Sequence, residues 1–503
     1  MVTLDGQSLT LEQMAAVARQ GDEAELDAAA ASRMRRSREV VERMAAGGEA
    51  VYAVNTGVGY LSDQRVEAAE IEQLQRNVVR SHACGVGEPL PGEVVRAMML
   101  VRANVLAKGL SGIRPVVARR LCGLLNKGVT PVVPSRGSVG ASGDLAPLAH
   151  MALVLMGEGE AEFDGRRMAG GEAMAGAEID PIRLQAKEGI SLVNGTQAMV
   201  ACGGLALVDA EELTGIADAA CAFSLDALRG TPRAFDARIH EARPHPGQLA
   251  SARFMERLLA GSEIRDSHRT CRHVQDAYSL RCAPQVHGAV RDALAEMRRV
   301  FTIELNSATD NPLVFDDEIL SGGNFHGQHL ALAMDSAAIA LTALAGISER
   351  RIDRLVNPML SEGLPAFLAG HAGLESGYMM LQVTAASLVA ELRVLASPAS
   401  TGSITTSGNK EDFVSMGMTS ALKLAEAVKL VRLVLAIELM TAARALEFLH
   451  PLKTSPMLEG LRAAVEGVCP RRTEDAPFSK SIEAVGEWLR GWRDWRGANW
   501  TGI

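Results

Sequence analysis

The chain has 503 residues, 48% of them hydrophobic but only 4% aromatic, and a net charge of −9. Such a length buries a large core, and an apolar content carried by Ala and Leu is that of helices packed on helices, since these are the strongest apolar helix formers. The acidic balance excludes nucleic acid as the main partner, because a phosphate-binding surface needs a basic excess; the seven scattered cysteines, with no Cys-x-x-Cys pair, exclude a structural zinc site or disulfide framework and point to a reducing, cytoplasmic setting.

The elements follow in chain order. Thr10 stands three residues before Gln13, a capping-box spacing that starts a helix ending near Gly21. No basic stretch followed by an apolar run precedes it, so no signal peptide is expected. Helical periodicity returns over residues 23–44 and 66–80, and "VYAVNTGVGYLSD" between them reads as a loop. Residues 91–126 hold two helical segments. Pro131 and Pro134 then forbid helix and hold the glycine-rich "GSVGASGD" away from regular structure. In "EAEFDGRRM", Asp164-Gly165 turns a hairpin between two short strands.

After "LVNGTQ" the character changes. Residues 197–229, 286–305, 328–356, 373–395 and 415–449 read as long apolar helices. The most apolar stretch, residues 330–347, is interrupted by Asp335 and fits a buried bundle helix better than a membrane span. Pro451 ends the last of these helices. The segment beyond it carries all four tryptophans, whose place is in packing or at a subunit interface. The expected fold is all-α with little β structure. It comprises a loop-rich N-terminal region (1–195) bearing the glycine loop, a central long-helix bundle (196–450) and a C-terminal helical segment (451–503).

Three chemistries compete for the glycine loop. A phosphate cradle needs Lys and then Ser or Thr after its last glycine, but Gly143 is followed by Asp144 and Leu145, and a carboxylate there repels phosphate. A nucleophile elbow around Ser142 needs glycine where Asp144 stands. The third reading fits every residue: the Gly143 nitrogen attacks the Ala141 carbonyl carbon and closes a five-membered ring. Loss of water, with dehydration of Ser142, leaves an exocyclic methylidene. The glycines permit the unusual backbone angles, and the product is a carbon electrophile that no ordinary side chain supplies.

"GSVGASGDLAPLAH" resembles the signature of the histidine, phenylalanine and tyrosine ammonia-lyase family, in which Ala-Ser-Gly becomes a 4-methylidene-imidazol-5-one (MIO) prosthetic group. The likeness extends in order through "YAVNTGVG", "RNVVRSHACGVG", "LVNGTQ", "QDAYSLRCAPQVHG", "NSATDNPL" and "GGNFHGQ", and so covers essentially the whole chain. It implies a covalent cofactor formed from Ala141, Ser142 and Gly143, with no metal and no nucleotide. It also implies a homotetramer whose active sites take residues from three chains, so that Tyr52 and Glu411 need not come from the chain supplying Ser142.

Elimination of ammonia is difficult because the amine leaves poorly and the β-hydrogen is barely acidic. The electrophile answers the first problem and a positioned base the second. By the resemblance Tyr52 is that base, and Tyr278 shares the acid–base work or hydrogen-bonds near the electrophile. Tyr60 and Tyr378 read as packing residues. Arg281 lies three residues after Tyr278, on the same face of a helical stretch, and its guanidinium matches the substrate carboxylate bidentately. Asn194 and Gln275 resemble positions that support the prosthetic group and the carboxylate side, and Phe325 the residue beside the electrophile. Asp310 reads as a turn or cap residue.

Ser81-His82, Glu411 and "LKTSP" resemble histidine lyases, and a carboxylate facing imidazole makes physical sense where one facing a phenyl ring does not. Val58, Glu375, Lys410 and Phe413 depart from the family pattern. The expected reaction is elimination of ammonia from L-histidine to give trans-urocanate, with His82 and Glu411 at the imidazole. The alternatives are a tyrosine or phenylalanine ammonia-lyase, or a 2,3-aminomutase using the same electrophile. A catalytically inactive structural oligomer is the remote reading, because the set Ala141-Ser142-Gly143, Tyr52, Tyr278 and Arg281 is complete.

Overall fold

The structure, a computed structural model, describes residues 1–47, 49–268, 274–472 and 474–500. Helix takes 61% of the structure and strand 8%, so the all-α expectation holds. The chain forms two compact units, each discontinuous in sequence. One comprises Met1–Val208, Met297–Asp335 and Pro398–Leu422; the other comprises Asp209–Glu296, Ser336–Ser397 and Lys423–Ile503.

In the first unit the capping box is formed. Thr10 Oγ1 accepts from the Gln13 amide at 3.1 Å, and Gln13 Oε1 accepts from the Thr10 amide at 3.0 Å. The helix Leu11–Ala15 runs on as one wide turn, Ala16–Gln20, to a left-handed Gly21. The next helix starts later than its periodicity indicates. Residues Ala24–Leu26 are a strand, parallel to Val2–Leu4, because Asp27 caps the helix Ala28–Ala46 by accepting from the Ala30 amide at 2.8 Å. The third helix is Ile71–His82, preceded by a 3-10 turn at Ala68–Glu70. The helices Gly92–Ala107 and Pro115–Asn126 form as expected, the first buried all round, including Arg102 and Asn104.

The prolines before the glycine loop do not leave irregular chain. Pro134–Arg136 pairs antiparallel with Val86–Pro89, and Thr130–Pro131 with Glu160–Phe163. These are two- to four-residue edge pairings, where a missing amide proton is tolerated. The hairpin Glu160–Phe163/Arg166–Ala169 turns through Asp164 (φ +50°) and Gly165 (φ +70°), the left-handed pair of a tight two-residue turn.

The boundary between the units falls within four long helices, Gln197–Ala227, Ala283–Glu304, Gln328–Val356 and Gly417–Glu447. All four lie within a few residues of expectation. A further helix, Met379–Leu395, starts six residues later than residue 373, because Gly373 and Gly377 adopt positive φ. Gln328–Val356 is long and apolar enough to cross a bilayer by composition, yet half of its most apolar window is buried, and its Asp335 accepts from the Ser400 amide at 2.8 Å.

Inside the second unit, buried charges tie helices together. Arg351 grips Glu438 with Nε–Oε1 at 2.6 Å and Nη2–Oε2 at 2.8 Å, and Ser224 and Ser348 donate to the same carboxylate. Asp218 accepts from Ser251, His287 Nδ1 (2.7 Å) and Arg291 Nη2 (2.5 Å). Trp488, Trp492, Trp495 and Trp500 pack on one another with ring centroids 5.0–6.3 Å apart.

Candidate active site

The glycine loop is strapped at several points within the first unit. The Gly140 carbonyl accepts from Ser415 Oγ at 2.8 Å, and the Val139 carbonyl from the Met416 amide at 2.8 Å. At its end Gly143 has φ +71°, and a Cβ there would lie 2.0 Å from the Gly195 carbonyl oxygen, so no other residue fits. The same oxygen accepts from the Asp144 amide at 2.7 Å.

Asp144 has a part that its sequence position hid. It is fully buried, accepts from Ser138 Oγ at 2.7 Å and the Met199 amide at 2.8 Å, and so pins both ends of the loop to the start of the helix Gln197–Ala227. Burial pushes its pKa up to about 6 against the pull of those hydrogen bonds. The only signal was adjacency: an acid placed directly after the glycine that must not carry a side chain.

Ala141 is buried and Ser142 half-buried. Ser142 Oγ donates to Glu411 Oε1 at 2.7 Å, and its carbonyl accepts from Asn194 Nδ2 at 3.1 Å. Glu411 Oε2 accepts from Thr406 Oγ1 at 2.7 Å. Asn194 follows the short helix Glu188–Val193, and its Oδ1 is buried with no hydrogen-bond partner among the described residues. A tightly bent Ala-Ser-Gly with glycine at the crowded position, a serine hydroxyl held by a carboxylate and an orphaned amide oxygen alongside suit the self-formed prosthetic group that the sequence implies.

Two cavities meet at Ser142. The first, about 790 Å³, is lined by Tyr52, Val58, His82, Ser142, Asn194 and Glu411. The second, about 820 Å³, shares Tyr52, Ser142 and Glu411 and adds Ala141, Phe325, Lys410 and Phe413. Tyr52 Oη accepts from the Gly59 amide at 3.3 Å, which ties the phenol to its own loop. His82 Nδ1 lies 2.7 Å from the Val78 carbonyl. A carbonyl only accepts, so Nδ1 carries a proton in that contact. The cavity thus holds the His82 imidazole and the Glu411 carboxylate.

One chain therefore brings Tyr52 and Glu411 to its own Ser142. Tyr278, Gln275 and Arg281 are not among the residues lining either cavity. They belong to the second unit, where Gln275 and Arg281 line a cavity of about 730 Å³ with Arg233 and Gln285. Tyr278 is 70% exposed, and the Arg281 guanidinium lies 4.6 Å from its ring centroid, the shared face that the three-residue spacing implied.

Of the departures, Val58, Lys410 and Phe413 line the cavities, and Phe413 stacks on His326 with centroids 6.1 Å apart. Glu375 lies in the second unit and closes its own loop, accepting from the Gly370 and His371 amides. Asp310 stands in a bend. It is buried, 3.9 Å from Lys187 Nζ.

A family model described as aromatic amino acid lyase matches residues 9–467. A histidine ammonia-lyase of Koribacter versatilis is 57% identical over 501 residues, covering 97% of each chain. Among solved structures, a histidine ammonia-lyase from Trypanosoma cruzi superposes with a TM-score of 0.91 at 41% identity, covering 99% of this chain and 94% of its own. A tyrosine aminomutase from Streptomyces globisporus reaches 0.95 at 39% identity, covering 100% and 99%.

Proposed function

The chain belongs to the aromatic amino acid lyase family, and we propose that it eliminates ammonia from L-histidine to give trans-urocanate, using an electrophile made from its own Ala141-Ser142-Gly143. It is a carbon–nitrogen lyase acting on an amino acid, in a family of the MIO-dependent type. The observation that carries the substrate reading is the His82 imidazole and the Glu411 carboxylate lining the cavity that contains Ser142. A neutral imidazole brings one N–H donor to the carboxylate; a phenyl ring brings none.

Self-processing balances as two dehydrations. The Gly143 nitrogen bonds to the Ala141 carbonyl carbon, and that oxygen leaves as water with the hydrogens of the Ser142 and Gly143 amides. The Ser142 hydroxyl then leaves with its own Cα hydrogen. The finished group supplies an electrophilic carbon that activates the amine for departure. The remaining work falls to side chains. Tyr52 takes the β-proton, His82 and Glu411 orient the ring, Asn194 holds the residue-142 carbonyl, and Phe325 packs beside the electrophile.

Tyr278, Gln275 and Arg281 complete the site from neighbouring copies of a homotetramer, with Arg281 on the substrate carboxylate. Exposed apolar residues support this assembly: Leu332 and Ile339 on one helix, Met380, Val383 and Val394 on another. The free state of the six cysteines in the described residues supports a cytoplasmic setting (Cys271 lies outside them).

Purified protein assayed separately with histidine, tyrosine and phenylalanine, with urocanate and the cinnamates followed by ultraviolet absorbance, tests the reading. A higher kcat/KM for tyrosine overturns the substrate, and a β-amino acid product overturns the lyase.

A further inference from the structure

A group of buried charges lies beneath the glycine loop, none of them used in the proposed chemistry. Arg102, on the helix Gly92–Ala107, has no exposed surface. Its Nη1 donates to the Asn194 carbonyl at 2.8 Å and to Gln197 Oε1 at 2.6 Å, and its Nη2 donates to the Ser191 carbonyl. The two carbonyls stand at the C-terminal end of Glu188–Val193, where helix carbonyls lack intrahelical partners and carry partial negative charge. The guanidinium fork closes that end. Gln197 is held in turn, its Nε2 donating to Thr309 Oγ1 at 2.7 Å.

The fork also seats Gly195, which has φ +145°; a Cβ there would stand 2.6 Å from Arg102 Nη1 and 2.4 Å from Gln197 Oε1. From Gly195 and Asn194 three contacts reach the processing loop: the Gly195 carbonyl takes the Asp144 amide, it lies against Gly143, and Asn194 Nδ2 donates to the Ser142 carbonyl. Lys187 and Asp310, both buried, complete the floor. Lys187 Nζ donates to the Ser111 carbonyl and to Ser191 Oγ, beside the Asp310 carboxylate. Burial lowers the Arg102 pKa to about 10, with Asp310 opposing the shift, so the charge is retained at neutral pH.

We propose that Arg102 is a positioning residue for self-processing: by closing the helix end and seating Gly195, it holds Gly143 in the left-handed bend that ring closure requires. This rests on the reading that Ala141-Ser142-Gly143 forms the prosthetic group. It assigns Arg102 no contact with substrate.

The test follows the mass of the peptide spanning residues 137–150, sampled over time in chain made by cell-free synthesis, so that activity is not the readout. The wild-type peptide should lose two waters; a wild-type peptide of full mass overturns both the prosthetic-group reading and this proposal. Arg102→Lys keeps the charge but not the fork, and a folded variant should process at least about tenfold more slowly. If Arg102→Lys does not fold, Gln197→Leu serves: it removes one of the three acceptors and should slow processing about threefold. Leu121→Ala, a cavity in the adjacent helix Pro115–Asn126, separates positioning from stability and should process at the wild-type rate. A folded Arg102→Lys or Gln197→Leu chain that processes at the wild-type rate overturns the proposal, as does equal slowing by Leu121→Ala.

Discussion

Replacing Glu411 by Gln changes one oxygen into an amide nitrogen at constant shape. Before processing, both carboxylate oxygens are engaged, Oε1 by the Ser142 hydroxyl and Oε2 by Thr406 Oγ1, each at 2.7 Å. On the proposed reading, processing expels the Ser142 hydroxyl as water. Oε1 would then be vacated toward the cavity, open to a substrate N–H in place of the serine donor. In Glu411→Gln the amide oxygen stays with Thr406 and an NH₂ faces the ring, donor against donor. A hydrogen bond to a charged group is worth about 1.5–3 kcal/mol, and Glu411 is only half-buried, so the lower part of that range applies. About 1.5–2 kcal/mol is a roughly ten- to thirtyfold fall in kcat/KM for histidine. For phenylalanine the same change removes an unpaired charge facing an apolar ring, and kcat/KM should hold or rise. The assay compares both substrates on both proteins, normalised to the fraction of chains lacking two waters. Equal losses on histidine and phenylalanine, or no loss on histidine, would refute the assignment of Glu411 to the imidazole.

Three other outcomes are expected. Ser142→Ala should fold with unchanged helical content, lose one water at most from the 137–150 peptide, and show almost no turnover; residual activity near wild type contradicts the electrophile. Tyr52→Phe should lower kcat by about 10²–10⁴-fold with little change in KM, the pattern of a lost proton acceptor, while a KM effect alone would make Tyr52 a binding residue. Burial alone would raise the Asp218 pKa, but Arg291 and His287 beside it bring it down from 3.8 to about 2. A depressed folded pKa contributes stability that is present above 3.8 and lost as pH falls toward about 2. The stability gap between the native chain and Asp218→Asn should therefore shrink by about 2 kcal/mol between pH 5 and pH 2 in thermal unfolding, and a constant gap would show that Asp218 is not the group titrating.

Features whose signal spans a few residues could be read directly. Thr10 and Gln13 cap each other, and Asp164-Gly165 turns a hairpin. The long helices were legible because burying them repeats an apolar pattern over many turns. The strands Ala24–Leu26 and Pro134–Arg136 were not, because a three-residue strand has no period and each pairs with a segment distant in sequence. Chain motifs also said nothing of proximity. Tyr52, His82, Ser142, Asn194, Phe325 and Glu411 are scattered over some 360 positions, and only the packing of the first unit gathers them while leaving Tyr278, Gln275 and Arg281 in the second. The same holds for Asp144 and Arg102. In the sequence each is one charged residue among many, most of which face water. Only the tertiary structure removes that water, and a charge without it must find partners, which for these two lie beside the processing loop and in the turn beneath it.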